Sequence, residues 1–186
     1  MKLISLSIGA LVLVAACASP KAPTLTRQDK DDADARYEVL NALPATAAMP
    51  TMGTANYTGK FGGSLSGDSD GELLGDISME ADFASSVLSG SVTNLNTYND
   101  AGEPDQLLSG GLNVNGNFVG NAVTASATGT LTGVDSGFSG DTNVDIAMNG
   151  TFRDNTGTAD VITGTAIGCG TGDFDICLDG GFYAEN

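Results

Sequence analysis

Histidine and tryptophan are both missing from this 186-residue chain. Without an imidazole, His-dependent triads, His general bases and His-ligated zinc or haem are excluded together. Cationic residues are scarce as well. Seven Lys and Arg stand against 23 Asp and Glu, a formal net charge of −16. A chain so acidic repels a phosphate backbone, which argues against nucleic acid as a partner. Long apolar runs are lacking too. The residues 3–16 form a mostly apolar stretch, but a spanning helix needs roughly 20. What the chain has in excess is glycine, 26 residues, without the strict third-position repeat of collagen. Hydrophobic residues make up 41%, enough for a core and against wholesale disorder. The length fits one globular unit.

The N-terminus reads as an address. Met1-Lys2 supplies a short positive start, residues 3–16 an apolar core of signal-peptide length, and Val14-Ala15-Ala16-Cys17 a terminus. These four residues resemble the bacterial lipobox, in which the cysteine is diacylated and becomes the first residue of the mature protein. The alternative is an ordinary cleaved signal with a chance cysteine. The resemblance implies residues 1–16 as signal peptide, Cys17 as the lipidation site and the membrane as a partner through the N-terminal lipid. Ala18 follows the cysteine. An Asp there would resemble an inner-membrane retention signal, so outer-membrane delivery is the expectation. In that oxidising setting the two remaining cysteines, Cys169 and Cys177, read as a disulfide.

Residues 17–53 differ in character from the rest of the chain. Beyond Cys17 they hold four of the seven basic residues and four of the five prolines. They read as a flexible tether. A short helix over residues 29–43, with Tyr37, Leu40 and Leu43 on one face, is the alternative.

From residue 54 onward a five-residue pattern recurs, with apolar residues flanking a central glycine two positions away on each side. Tyr57-Thr-Gly59-Lys-Phe61 is the first copy, and Gly75, Gly90, Gly110, Gly129, Gly150, Gly164 and Gly180 centre the others. The spacing suits a strand and a turn repeated as a meander. Period-two alternation puts each glycine on the apolar face. Leu73, Gly75, Ile77, Met79, Ala81 and Phe83 form one such row, with Leu74 the outlier on the polar face. Glycine on an inward face permits the coiling that a small barrel needs. If Cys169 and Cys177 are directly opposed, Ala166 falls opposite Gly180, and Gly164 opposite Phe182, an aromatic ring facing a glycine. Both cysteines then point outward, with residues 170–176 as the loop. The fold expected is all-β: a single soluble eight-stranded antiparallel up-and-down barrel over residues 54–186, preceded by a lipid-anchored tether. A membrane barrel would be apolar outside; here the apolar face can only be the packed interior.

A lipobox, a tether and a glycine-rich barrel together resemble the barrel domain of the transferrin-binding protein B family of surface lipoproteins. The carrying residues are Tyr57-Thr-Gly-Lys-Phe-Gly-Gly63 and Leu178-Asp-Gly-Gly-Phe-Tyr-Ala-Glu185. The resemblance covers about residues 54–186 and lacks the handle domain that carries much of the family's partner contact, so no binding residue transfers. It implies capture of a protein or small-molecule ligand at the cell surface, in iron or other nutrient acquisition. It also implies an outer-membrane transporter or assembly modulator as a further partner. Haem would need a ligand other than His, a role that Tyr57, Tyr98 or Tyr183 could fill in principle only.

Other chemistry is thin. Asp68, Asp70 and Glu72 faintly resemble the start of a calcium loop, and Asp173 and Asp175 flank Phe174 beside the cysteine pair; ordinary turn carboxylates explain both. With few cations and no base, an enzyme is not expected, nor is a cofactor or metal. Connections around residues 96–106 and 134–142 are the expected binding loops, with Tyr98 as their aromatic anchor. The competing readings are a structural or shielding surface coat and a periplasm-facing accessory with no captured ligand.

Overall fold

The computed structural model describes residues 21–135 and 137–186. Residues 1–16 and Cys17 lie outside the described residues. The helix α1 (Arg27–Asn41) precedes β1 (Thr54–Gly67), β2 (Gly71–Asp82), β3 (Val87–Tyr98), β4 (Pro104–Leu107) and β5 (Ser109–Gly110). β6 (Leu112–Val119), β7 (Ala122–Asp135), β8 (Phe138–Arg153), β9 (Val161–Gly172) and β10 (Ile176–Glu185) follow. The sheet runs β2-β1-β10-β9-β8-β7-β6-β3, and β3 pairs back onto β2, so it closes. Every ladder is antiparallel. β4 pairs with β3 and β5 with β7, so β4, β5 and β6 together form one broken stave. The barrel therefore has eight staves, as its glycine pattern implies. The break falls at the fourth copy, where Gly110 has φ +94°, a left-handed conformation that suits glycine.

The apolar rows fill the interior. Leu73, Ile77, Met79, Ala81 and Phe83 are buried, and so are Val144, Ile146, Met148 and Phe152 on β8. Aromatic rings plug both ends. Tyr57, Phe83, Phe118 and Phe152 pack edge-to-face or tilted at the end where β1 starts. Phe138 and Phe174 meet at 89° at the other. What remains inside is a void of about 10 Å³ lined by aliphatic side chains and Phe61.

The glycines let neighbouring backbones approach. A Cβ on Gly164 would lie 2.1 Å from the Asn149 carbonyl oxygen and 2.5 Å from the Gly150 Cα. The β9–β10 register places Gly164 opposite Phe182, Ala166 opposite Gly180 and Cys169 opposite Cys177. The tip of the Phe182 ring reaches one strand further, to 2.9 Å from where a Cβ on Gly150 would sit. Cys169 and Cys177 are joined, with Cα atoms 4.0 Å apart and both on the outer face. The expected 170–176 loop is shorter than its reading: pairing continues to Gly172 and resumes at Ile176, leaving a turn of residues 173–175.

Residues 21–53, read as part of a flexible tether, lie docked on the barrel. Thr26 caps α1, its hydroxyl accepting from the Asp29 N–H while the Asp29 carboxylate accepts from the Thr26 N–H. This capping box starts the helix just ahead of the residues read from sequence. Lys21 forms a β-bridge with Leu107. Leu25, Ala33 and Leu40 are buried against the outside of the barrel. The outlier Leu74 is explained here: it points outward, yet it is buried in a satellite cluster with Leu25, Ala33 and Tyr98.

Replacing Gly164 with Ala is expected to destabilise the barrel by about 1–3 kcal/mol, because both close neighbours are backbone and cannot rotate away. A urea titration should show a lower midpoint at unchanged slope.

Candidate functional site

Docking α1 onto a smooth patch of barrel creates a groove. On β1 and β10 the outward positions Gly62 and Gly181 are directly paired. With no side chains there, the sheet forms a low floor. Tyr37 of α1 leans over it, its Cε2 2.9 Å from where a Cβ on Gly181 would lie. Its hydroxyl donates to the Gly164 carbonyl at 3.3 Å. Beside it runs a half-open cavity of about 220 Å³, walled by Ala33, Tyr37, Leu74 and Tyr183, with Lys30 and Lys60 at its sides. The depression continues outward past Tyr183 toward Thr58 and Glu185, and in the other direction past Lys30 toward Asn99.

Both lysines are already paired. Lys30 Nζ lies 3.0 Å from Asp34 and 2.9 Å from Glu72. Partial burial pulls its pKa down, but these two carboxylates outweigh that and raise it. Lys60 Nζ lies 2.6 Å from Asp76, whose other oxygen accepts from Asn94 Nδ2 at 2.8 Å. An anionic ligand would have to displace these carboxylates. The groove offers instead two phenol rings, a flat glycine floor and alternating charges, which suits a planar or peptide-like group of little net charge.

The groove exists only while the N-terminal segment stays docked, and polar contacts hold it at both ends. Asn96, with no exposed surface, accepts from the Thr24 N–H at 2.8 Å and donates to the Asn94 carbonyl at 2.7 Å. Asn94 has φ +54° at a bulge where the β2–β3 register shifts, and this bulge turns the end of β3 toward the segment. Arg27 pairs with Glu103 and Arg36 with Glu185. At the far end of the helix, Arg153 donates to the Leu43 carbonyl at 2.5 Å and to Asn41 Oδ1 at 3.0 Å, a cation placed at the helix C-terminus where the dipole favours it.

The residues singled out from sequence are dispersed. Tyr98 is not an exposed anchor: it is 2% exposed, beneath the N-terminal segment, and its hydroxyl donates to the Thr26 carbonyl at 3.1 Å. The two expected binding loops are tight turns. Strand pairing runs on to Asp135 and resumes at Phe138, and Asn99 Oδ1 closes residues 99–103 by accepting from the Ala101 and Glu103 N–H groups. Tyr57 is buried and donates to the Ala159 carbonyl; Tyr183 alone of the three tyrosines faces the groove. Asp68 and Asp173 accept from backbone N–H groups of Asp175 and Asp141, and Glu72 serves Lys30. No group of three or more His, Cys, Asp or Glu side chains among the described residues is arranged to hold a metal. Sequence reasoning missed Lys30, Lys60 and the glycine floor. The signals were present in the doubled glycines at 62–63 and 180–181 and in the outlier Leu74.

No family model and no curated protein matches the chain. Solved structures similar to it include intact Ap-TbpB, with N and C lobes, at 19% identity and TM-score 0.48. A point mutant of the vaccine antigen transferrin-binding protein B from Haemophilus parasuis Hp5 is similar at 20% identity and TM-score 0.48. Each match covers 77% of this chain and 28% of the other, so the chain spans under a third of either protein's length.

Alkali should loosen the docking of α1. Burial, with the nearby Asp29 charge, pushes the Tyr98 phenol up to about 12, against an ordinary value near 10. The folded form thus holds its proton longer. The contribution is full below about pH 10 and is lost as pH rises toward 12. The raised Lys30 acts in the same sense. Hydrogen exchange of α1 should quicken over this window in the wild type and much less steeply in Tyr98→Phe.

Proposed function

We propose that the protein is a non-enzymatic envelope lipoprotein, anchored through Cys17 and displayed on the outer face of the outer membrane. Its barrel serves as a rigid stand, and the groove beside α1 captures a ligand of little net charge, either a small molecule or a side chain of a protein. Acquisition of iron or another nutrient, with a transporter or assembly modulator as neighbour, is the setting this reading favours.

The observation that carries the proposal is the filled interior. A void of about 10 Å³ admits no ligand, so binding has to use the outer surface. There, the groove of about 220 Å³ is the concave site with aromatic walls and converging polar groups. The lipobox-like run ending at Cys17 supports the anchor. The Haemophilus parasuis protein is named for binding transferrin; nothing in the groove selects transferrin for this one.

Protease shaving of intact cells, with a lysed control, tests display. Cells carrying wild type are then incubated in growth medium, and retained small molecules and proteins are compared with those held by Lys60→Ser/Tyr183→Ala. At least a tenfold loss in the variant, at similar melting temperature, is the expected outcome. Cleavage only after lysis would make this a periplasm-facing accessory. Display with nothing retained by wild type would favour a coat.

A further inference from the structure

The two ends of the barrel differ: the chain coming from the N-terminus first meets the barrel at one of them, and only after α1 does it arrive at the other, where Ala45 bridges Arg153. At the end where β1 finishes lie the turns 68–70, 99–103 and 173–175. Lys21 bridges Leu107 there. Thr24 is held by Asn96, and Thr26 by Tyr98, both in the last three residues of β3. At the opposite end lie the turns 83–86 and 120–121 and the loop 154–160. That end carries exposed apolar residues: Met52 at 77%, Val87 at 47% and Val119 at 82%.

Chain length converts this asymmetry into an orientation. Four Cα–Cα steps separate Cys17 from Lys21. At full extension they span no more than about 14 Å. A free segment reaching to Thr54 would reach many times as far. We infer that, in the anchored protein, the rim formed by turns 68–70, 99–103 and 173–175 faces the bilayer and has the lipid headgroup layer as its neighbour. The end bearing Met52, Val87 and Val119 stands outermost. The inference rests on the anchored reading above and adds to it which surface meets the membrane.

The electrostatics fit a short leash rather than insertion. Asp68, Asp70, Asp100, Asp173 and Asp175 occupy the near turns, so the rim stays in the aqueous headgroup region. The leash is somewhat longer than the screening length of about 8 Å at physiological salt, so like-charged lipid would hold the rim off without turning it away. At the far end, Asp82, Asp154 and Asp160 accept from the Ala84, Ala159 and Asn155 N–H groups respectively and keep their charge, so it is the leash and not a difference in charge that sets the orientation.

The test attaches lipid chemically, so that it does not depend on acylation in cells. In the chain from Cys17 onward, Cys17 is the one thiol outside the disulfide and couples to a maleimide lipid in phosphatidylcholine vesicles. A clickable residue at Asp70 or Val119 carries a fluorophore, and a headgroup-labelled lipid quenches it. Quenching at least threefold stronger at position 70 than at 119 is expected. Undocking the segment with Asn96→Ala/Tyr98→Phe should reduce that ratio toward one. Equal quenching in the wild type, or stronger quenching at 119, would overturn the orientation. The mass of the N-terminal peptide from cell-grown protein reports acylation separately: an unmodified Cys17 would remove the anchored reading, whichever way the quenching falls.

Discussion

The closure of β10 onto β1 is the contact on which the rest of this structure depends. A sheet of eight staves closes only if its strands coil sharply and approach closely, and here the approach is made at glycine. The paired Gly63 and Gly180 on the inner face let the two terminal staves of the barrel meet. Gly164 and Gly150 do the same further round, where the tip of the Phe182 ring occupies the space a side chain at Gly150 would need. Glycine costs strand stability, and the return is a sheet with no open edge around a core with almost no void. The aromatic plugs at both ends complete the exclusion of water.

The same substitution of glycine for side chain has a different consequence on the outside. At Gly62 and Gly181 the surface is low enough for a helix and a tyrosine ring to settle on it. The chain has few cations, and of the six among the described residues, four span the interface between the N-terminal segment and the barrel: Arg27, Lys30, Arg36 and Arg153. A strongly acidic barrel would repel an acidic helix. These pairs offset that repulsion, while Asn96 and Tyr98 satisfy backbone groups that docking would otherwise bury unpaired. The groove between helix and sheet is thus a by-product of how the segment is held, and it persists only while those contacts do.

Much of the barrel was legible in the primary sequence. Strands rest on a two-residue period and turns on local Gly, Asn and Asp chemistry, both short-range. The β9–β10 register followed from two cysteines and an alternating pattern within twenty residues of each other. Eight glycine copies implied eight staves, even where the fourth is broken into pieces. What could not be read locally was anything joining residues 21–53 to the barrel. Those contacts link positions far apart in the chain, such as Lys30 with Glu72, Thr24 with Asn96 and Arg36 with Glu185, and no period in the chain encodes them. Leu74 was the one residue whose misfit marked the docking surface.

Tyr98 shows the division most clearly. Its position near a turn made it an exposed aromatic by sequence; a bulge at Asn94 and a segment from the other end of the chain bury it. By itself the sequence determined the all-β class, the stave count, the inward rows and the cysteine pairing, because backbone geometry makes each of these a matter of spacing. Tertiary structure alone decided that residues 21–53 form a docked strap, that a groove opens beside it, and at which end of the barrel the chain first meets the sheet. Those outcomes depend on which outer faces meet once the sheet has closed.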